Sequence, residues 1–179
     1  MSEAVLVERG YRNTTVDEIA DRAGITKPVI YDHFTSKDDL VGAVITRAHK
    51  ELETATIEDY NALEDPADAR AFIYASQLSW FTFIDHHKAG YALLRQDGAL
   101  SRGKVERIRV KQAELVAEAL RQTREFAQTD DERLNLMATM LVGASERYAL
   151  WRMDRDDITP EAAAEAVTDL VWSGIRPRD

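Results

Sequence analysis

Cysteine is absent from the 179 residues, which excludes disulfides and thiolate metal sites. No apolar run approaches the ~20 residues that a helix needs to cross a bilayer, although 45% of the chain is hydrophobic. No secretory signal is visible at the N-terminus. These absences predict a cytoplasmic protein with no membrane contact. No stretch alternates as a β-strand would, and no internal repeat stands out. A phosphate-cradling loop and a nucleophile–base pair are also missing, so an enzyme built on a helical bundle has nothing to work with. His86 and His87 are adjacent, and on a helix they would point about 100° apart, too divergent to share an ion. No His-x-x-x-His or Glu-x-x-His spacing occurs, so neither a metal nor a cofactor is expected.

Positive charge is also in short supply. The formal net charge is −9, yet residues 1–50 hold seven Lys/Arg against eight Asp/Glu, and the remainder holds sixteen against twenty-four. The acidity sits mostly outside the N-terminal quarter. Indiscriminate nucleic-acid binding is disfavoured, whereas a local DNA-reading surface is not.

What is present is helical periodicity. About nine helices are predicted, near residues 1–9, 16–23, 27–34, 37–60, 67–85, 88–95, 104–123, 131–153 and 160–174. The informative stretch is Thr15 to Lys37. Thr15 and Glu18 make a capping box. Val16, Ile19, Ala20 and Ala23 form one apolar face. Gly24 supplies a left-handed turn, and Ile25 is expected to plug that turn into the core. Thr26 is placed to cap the next helix, with Pro28 in its first turn.

On that second helix, Ile30 and Phe34 share the inward face. Pro28, Val29 and Asp32 point the other way, with Lys27, Tyr31 and His33 on the flanks. A helix of barely two turns cannot stand alone, yet its outer face carries a valine, a proline and an aromatic. Such a face suits a groove better than bulk water. Helix, glycine turn and helix make a helix-turn-helix, whose second helix lies in the DNA major groove. Ser36 is placed to cap the next helix, with Asp38 and Asp39 in its first turn.

Gly10-Tyr11, Thr15-Val16-x-x-Ile19-Ala20, Ala23-Gly24-Ile25, Tyr31-x-His33-Phe34 and Ser36-Lys37-x-x-Leu40 together resemble the DNA-binding domain of the TetR family of bacterial transcriptional regulators. The resemblance implies an all-α protein. Residues 1–45 would form a three-helix DNA-binding domain whose first helix is truncated. Residues 46–179 would form a helical ligand-binding and dimerisation domain. By the same resemblance Lys27, Pro28 and Val29 meet base edges, Lys27 reaching guanine and Val29 a thymine methyl. Tyr31, His33 and Lys37 match phosphate-contacting positions, and Thr15 and Thr26 can add their hydroxyls. Asp32 either accepts from cytosine N4 or pairs with Lys27 or Lys37.

In the body, Phe72, Trp80, Phe81, Phe83, Tyr91, Tyr148 and Trp151 are either plain core or the wall of a pocket for a hydrophobic or aromatic inducer. Glu146 and Arg147 beside them would orient a polar group or act as surface ions. The basic run Lys104, Arg107, Arg109 and Lys111 reads as a solvated helix face. The last two helices are expected to pair with a second subunit as a four-helix bundle, with Leu134, Met137, Leu141, Val167, Leu170 and Val171 at the interface. The function implied is a homodimeric repressor released from a palindromic double-stranded DNA operator by a small molecule. The alternative is a constitutive dimeric DNA-binding adaptor.

Overall fold

A computed structural model describes residues 14–88, 91, 102–155 and 157–175. Among these residues there are seven helices and no strand: α1 (Val16–Ala23), α2 (Lys27–His33), α3 (Lys37–Asn61), α4 (Ala69–His86), α5 (Arg102–Arg121), α6 (Asp131–Arg152) and α7 (Pro160–Ile175). The helix expected near 1–9 lies outside the described residues, as does most of the one expected near 88–95. The chain divides into two compact units, Met1–Glu51 with His87–Lys104, and Leu52–His86 with Val105–Asp179. The helix α3 contributes to both.

The first unit is built on local capping. Glu18 N donates to Thr15 Oγ1 at 3.2 Å, and Thr15 N donates to the Glu18 carboxylate at 2.8 Å, closing the expected capping box. Val16, Ile19 and Ala20 turn inward. Gly24 sits at φ +68°, and Ile25 N returns to Ala20 O at 3.0 Å. A methyl group added at Gly24 would meet nothing within 4 Å. Gly24→Ala should therefore show the conformational cost alone, about 1–2 kcal/mol. Chemical denaturation checks this, and no loss of stability would mean that the left-handed turn is dispensable.

Two local expectations fail here. Ile25 is exposed rather than plugged into the core. The turn that sends its N–H back to α1 leaves its side chain outside, and Ile30 fills the interior from α2. Thr26 occupies the cap position of α2 but makes no side-chain cap bond. Its usual targets are the N–H groups of the second and third helical residues. Pro28 has no N–H, and Val29 N is already bonded to Thr26 O at 3.0 Å.

Ser36 Oγ accepts from Asp39 N at 3.1 Å, and the Asp39 carboxylate accepts from Thr35 N at 3.0 Å. This reciprocal pair starts α3. Lys37 Nζ donates to Thr14 O at 2.8 Å, fastening the first turn of α3 to the residue just before the α1 cap. Leu40 and Val41 are buried with Ile19, Ala20 and Ile30 as the unit's core.

The second unit is organised on α4, which packs on both α6 and α7. It buries Phe72, Ile73, Phe81 and Ile84 together with Gln77 and Ser79, the all-round burial that its sequence predicts. Asp130 caps α6 by accepting from Arg133 N at 2.9 Å. Arg70 binds Glu165 at 2.8 Å and Asp169 at 2.6 Å, joining α4 to α7 at the surface. The edge of Phe126 meets Trp172, with ring centroids 6.4 Å apart.

Candidate functional site

The outer surface of the helix-turn-helix is held from behind. Ile30 buries the inner side of α2, and Phe34 N closes the helix by donating to Ile30 O at 2.9 Å. The outer side then presents Lys27, Pro28, Val29, Tyr31, Asp32 and His33, all exposed, with Tyr31 48% accessible and Ile25 exposed alongside. Such an apolar and aromatic cluster has no core to serve.

Hydrogen bonding divides the candidate DNA contacts. The Thr15 hydroxyl is taken up by the capping box, accepting from Glu18 N and lying 3.2 Å from Glu18 Oε2. Lys37 spends one of its donors on Thr14 O, and partial burial pushes its ammonium below the ordinary lysine pKa. Lys27 does not pair with Asp32; its ammonium binds Asp17 Oδ2 of α1 at 2.7 Å. That hydrogen bond raises the Lys27 pKa above the ordinary value. Asp17 gave no signal in the sequence, because the contact crosses from one helix to the next.

In the body, the seven aromatics read as core or pocket wall make several ring contacts. Phe81, buried, meets Tyr148 edge-on at 5.6 Å; Tyr148 stacks on Trp151 at 5.6 Å; and the Arg155 guanidinium lies 3.6 Å from the Trp151 ring centre. Trp80 stacks on Phe83 at 6.4 Å. Phe72 instead packs against Tyr60 at 5.7 Å. Tyr91 belongs to the first unit.

Polar groups that helical periodicity does not reveal run between α4 and α6. Ser145 Oγ lies 2.6 Å from Gln77 Oε1 and 2.7 Å from Leu141 O, sharing one proton between two acceptors. Trp80 Nε1 donates to Ser145 O at 3.4 Å. Arg152, only 3% exposed, donates to Asp85 at 2.5 Å, to Ile158 O at 2.6 Å and to Phe81 O at 3.3 Å. Glu146 is committed to Arg109 through two hydrogen bonds of 2.6 and 2.7 Å. Lys111 binds Glu53 at 3.1 Å. Arg109 and Lys111 of the basic run on α5 are thus paired with carboxylates.

The residues expected at the dimer face differ in exposure. Leu134, Met137, Leu141 and Val167 are buried within the protomer itself. Val171 is half-buried, and only Leu170 stands out fully. On α6, Leu136 and Met140 are exposed one turn apart on the opposite face, and Trp151 is exposed near its C-terminal end.

A helix-turn-helix with an exposed reader helix, on a chain whose described residues form helices and no strand, defines a DNA-binding transcriptional regulator. The family model for bacterial regulatory proteins of the tetR family matches residues 2–44. A second, the tetracyclin repressor-like C-terminal domain, matches residues 70–174. The chain is 30% identical over 177 residues to the HTH-type transcriptional activator FasR of Mycolicibacterium smegmatis, covering 96% of this chain and 78% of that protein. It is 30% identical over 97 residues to the HTH-type transcriptional repressor KstR2 of Mycobacterium tuberculosis, covering 54% of this chain and 47% of that protein. A solved TetR-like transcriptional regulator from Rhodococcus sp. RHA1 superposes with a TM-score of 0.71 at 28% identity, covering 97% and 91% of the two chains. The chain belongs to the TetR family of transcriptional regulators, a family of DNA-binding proteins rather than enzymes. Among the described residues, no helix is long and apolar enough to cross a membrane.

Proposed function

We propose that the protein is a homodimeric, ligand-responsive repressor, with residues 1–45 reading a pseudo-palindromic operator and residues 46–179 binding ligand and partner. The observation that carries this reading is the outer face of α2, where Lys27, Val29 and Tyr31 stand exposed on a helix fixed from behind by Ile30. In the major groove Lys27 and Val29 would meet base edges with Pro28 against the groove wall. Tyr31, His33, Lys37 and the Thr26 hydroxyl would meet phosphates. The capping-box geometry leaves Thr15 a lesser part than its position implies. Asp32, with Lys27 held by Asp17, would accept from cytosine N4 or pair with Lys37.

In the body, Trp80, Phe83, Tyr148 and Trp151 offer partly accessible aromatic surface with polar edges, suited to a hydrophobic or aromatic ligand. The ligand would act by binding more tightly to a conformation that does not fit the operator. The unbroken helix α3, running from the reader into the body, is the element placed to carry that change.

Selection of bound sequences from random duplex DNA tests the reader. The wild-type protein should enrich a palindrome, and Tyr31→Ala should weaken binding to it by at least about tenfold through loss of a phosphate contact and its stacking surface. The fold should hold, because Tyr31 is half exposed. Undiminished binding by Tyr31→Ala would remove α2 from the interface. A second reading, that of an activator, is supported by the near full-length similarity to FasR. A promoter fused to a reporter separates the two, since deleting a repressor raises expression and deleting an activator lowers it.

A further inference from the structure

We infer that Asp17 sets the specificity of DNA binding by holding Lys27 in a charge-neutral pair that can read a base but cannot trade on phosphates. The inference rests on the assignment of α2 as the reader helix. The pair joins the first turn of α1 to the first residue of α2 across 2.7 Å, with the lysine and aspartate side chains 45% and 60% exposed. It therefore lies at the surface that the helix-turn-helix presents, not in the core.

Sequence-independent binding comes from cations that neutralise phosphates and release counterions. A lysine already bonded to a carboxylate gains little from this. To neutralise a phosphate it must either abandon Asp17 or bring the aspartate's charge up against the backbone. A base edge makes a different demand. The ammonium has three donors; one serves Asp17 and two remain for guanine O6 and N7, neutral acceptors that a neutral pair approaches without repulsion. The same side chain thus discriminates among bases while adding nothing to non-specific affinity. The surrounding sequence has the same character. Residues 14–51 carry seven acidic and five basic side chains, so this reader gets little attraction from net charge, and a single freed lysine would alter its balance appreciably.

The test compares wild type, Asp17→Asn, Lys27→Ala and the double variant on two probes, the palindrome recovered by selection and random-sequence duplex, across a salt series. Asp17→Asn should bind random duplex about three- to tenfold more tightly at low salt, with a log–log salt slope steeper by about 0.9, one phosphate's worth. Binding to the palindrome should change much less, so the specificity ratio falls. In the Lys27→Ala background the substitution should have no such effect. An unchanged slope in Asp17→Asn would overturn the inference. So would a gain that persists without Lys27, since that would be simple removal of a carboxylate near phosphates. Asp17→Ser serves as the second variant should the asparagine perturb α1. Tyr31→Ala keeps the two levels apart: if it and the wild type bind both probes alike, the reader assignment itself fails and this inference with it. If only Asp17→Asn is silent, the reader stands and the inference falls.

Discussion

Asp85→Ala is expected to cost about 3–5 kcal/mol of folding stability, more than Arg152→Met at the other end of the same ion pair. The asymmetry comes from burial. The arginine side chain is 3% exposed and the aspartate 29%. Removing the carboxylate leaves a cation in the interior, beside the Phe81 ring at 5.5 Å, hydrogen-bonded to the Phe81 and Ile158 carbonyls and with Glu161 as a weaker electrostatic partner. Its Nε is buried with no hydrogen-bond partner among the described residues, so the guanidinium has little reserve. Removing the arginine leaves a carboxylate that water can reach, and methionine retains much of the packing volume. That change should cost about 1–3 kcal/mol, chiefly the lost carbonyl bonds. Urea denaturation of the two variants orders them, and Arg152→Met proving the worse would show that packing around the guanidinium outweighs its charge. The pair ties the C-terminal ends of α4 and α6 to the connection before α7, so its loss should also loosen the aromatic surface of Phe81, Tyr148 and Trp151.

The features legible in the sequence are those fixed within a few residues of themselves. The Thr15–Glu18 box, the glycine turn and the Ser36 cap each depend on atoms one helical turn apart. Composition and spacing therefore reveal them, and the starts and stops of α1 to α7 fall close to expectation. Thr26 shows where that local logic misleads: its position was right, but a proline two residues on removed the donor it would have bonded.

Contacts between helices were not legible. Asp17 and Lys27 are ten residues apart and meet only because the turn folds α2 back against α1. Arg152 and Asp85, separated by 67 residues, sit in apolar neighbourhoods where a wheel suggests core or surface but not a partner. For the body aromatics, sequence gives residue type without register, so it does not say which ring meets which, as Phe81 meets Tyr148 and Tyr60 meets Phe72. The α6 helix was ambiguous for another reason. It has apolar residues on two faces, and periodicity cannot say which of them turns toward the helix's own protomer.

That ambiguity leads to the second large effect. The face through Leu134, Met137 and Leu141 is consumed inside the protomer, whereas Leu136 and Met140, 59% and 66% exposed, and Leu170 of α7, 78% exposed, have no cover. Large apolar side chains left open on neighbouring helices mark an interaction surface. In a two-fold dimer each such residue is used twice. Leu136→Glu with Met140→Glu would place four carboxylates in that interface, and buried charge without a partner is costly. The double variant should sediment as a monomer while its helical content stays at the wild-type level. Its affinity for the palindrome should fall by about 100-fold or more, because the second half-site no longer benefits from the first. Leu134→Ala should behave in the opposite way, losing about 2–5 kcal/mol of stability to a cavity while the folded fraction stays dimeric. If the double glutamate variant remains a dimer, the exposed face of α6 is not the subunit interface, and the partner must be sought on another surface of the body.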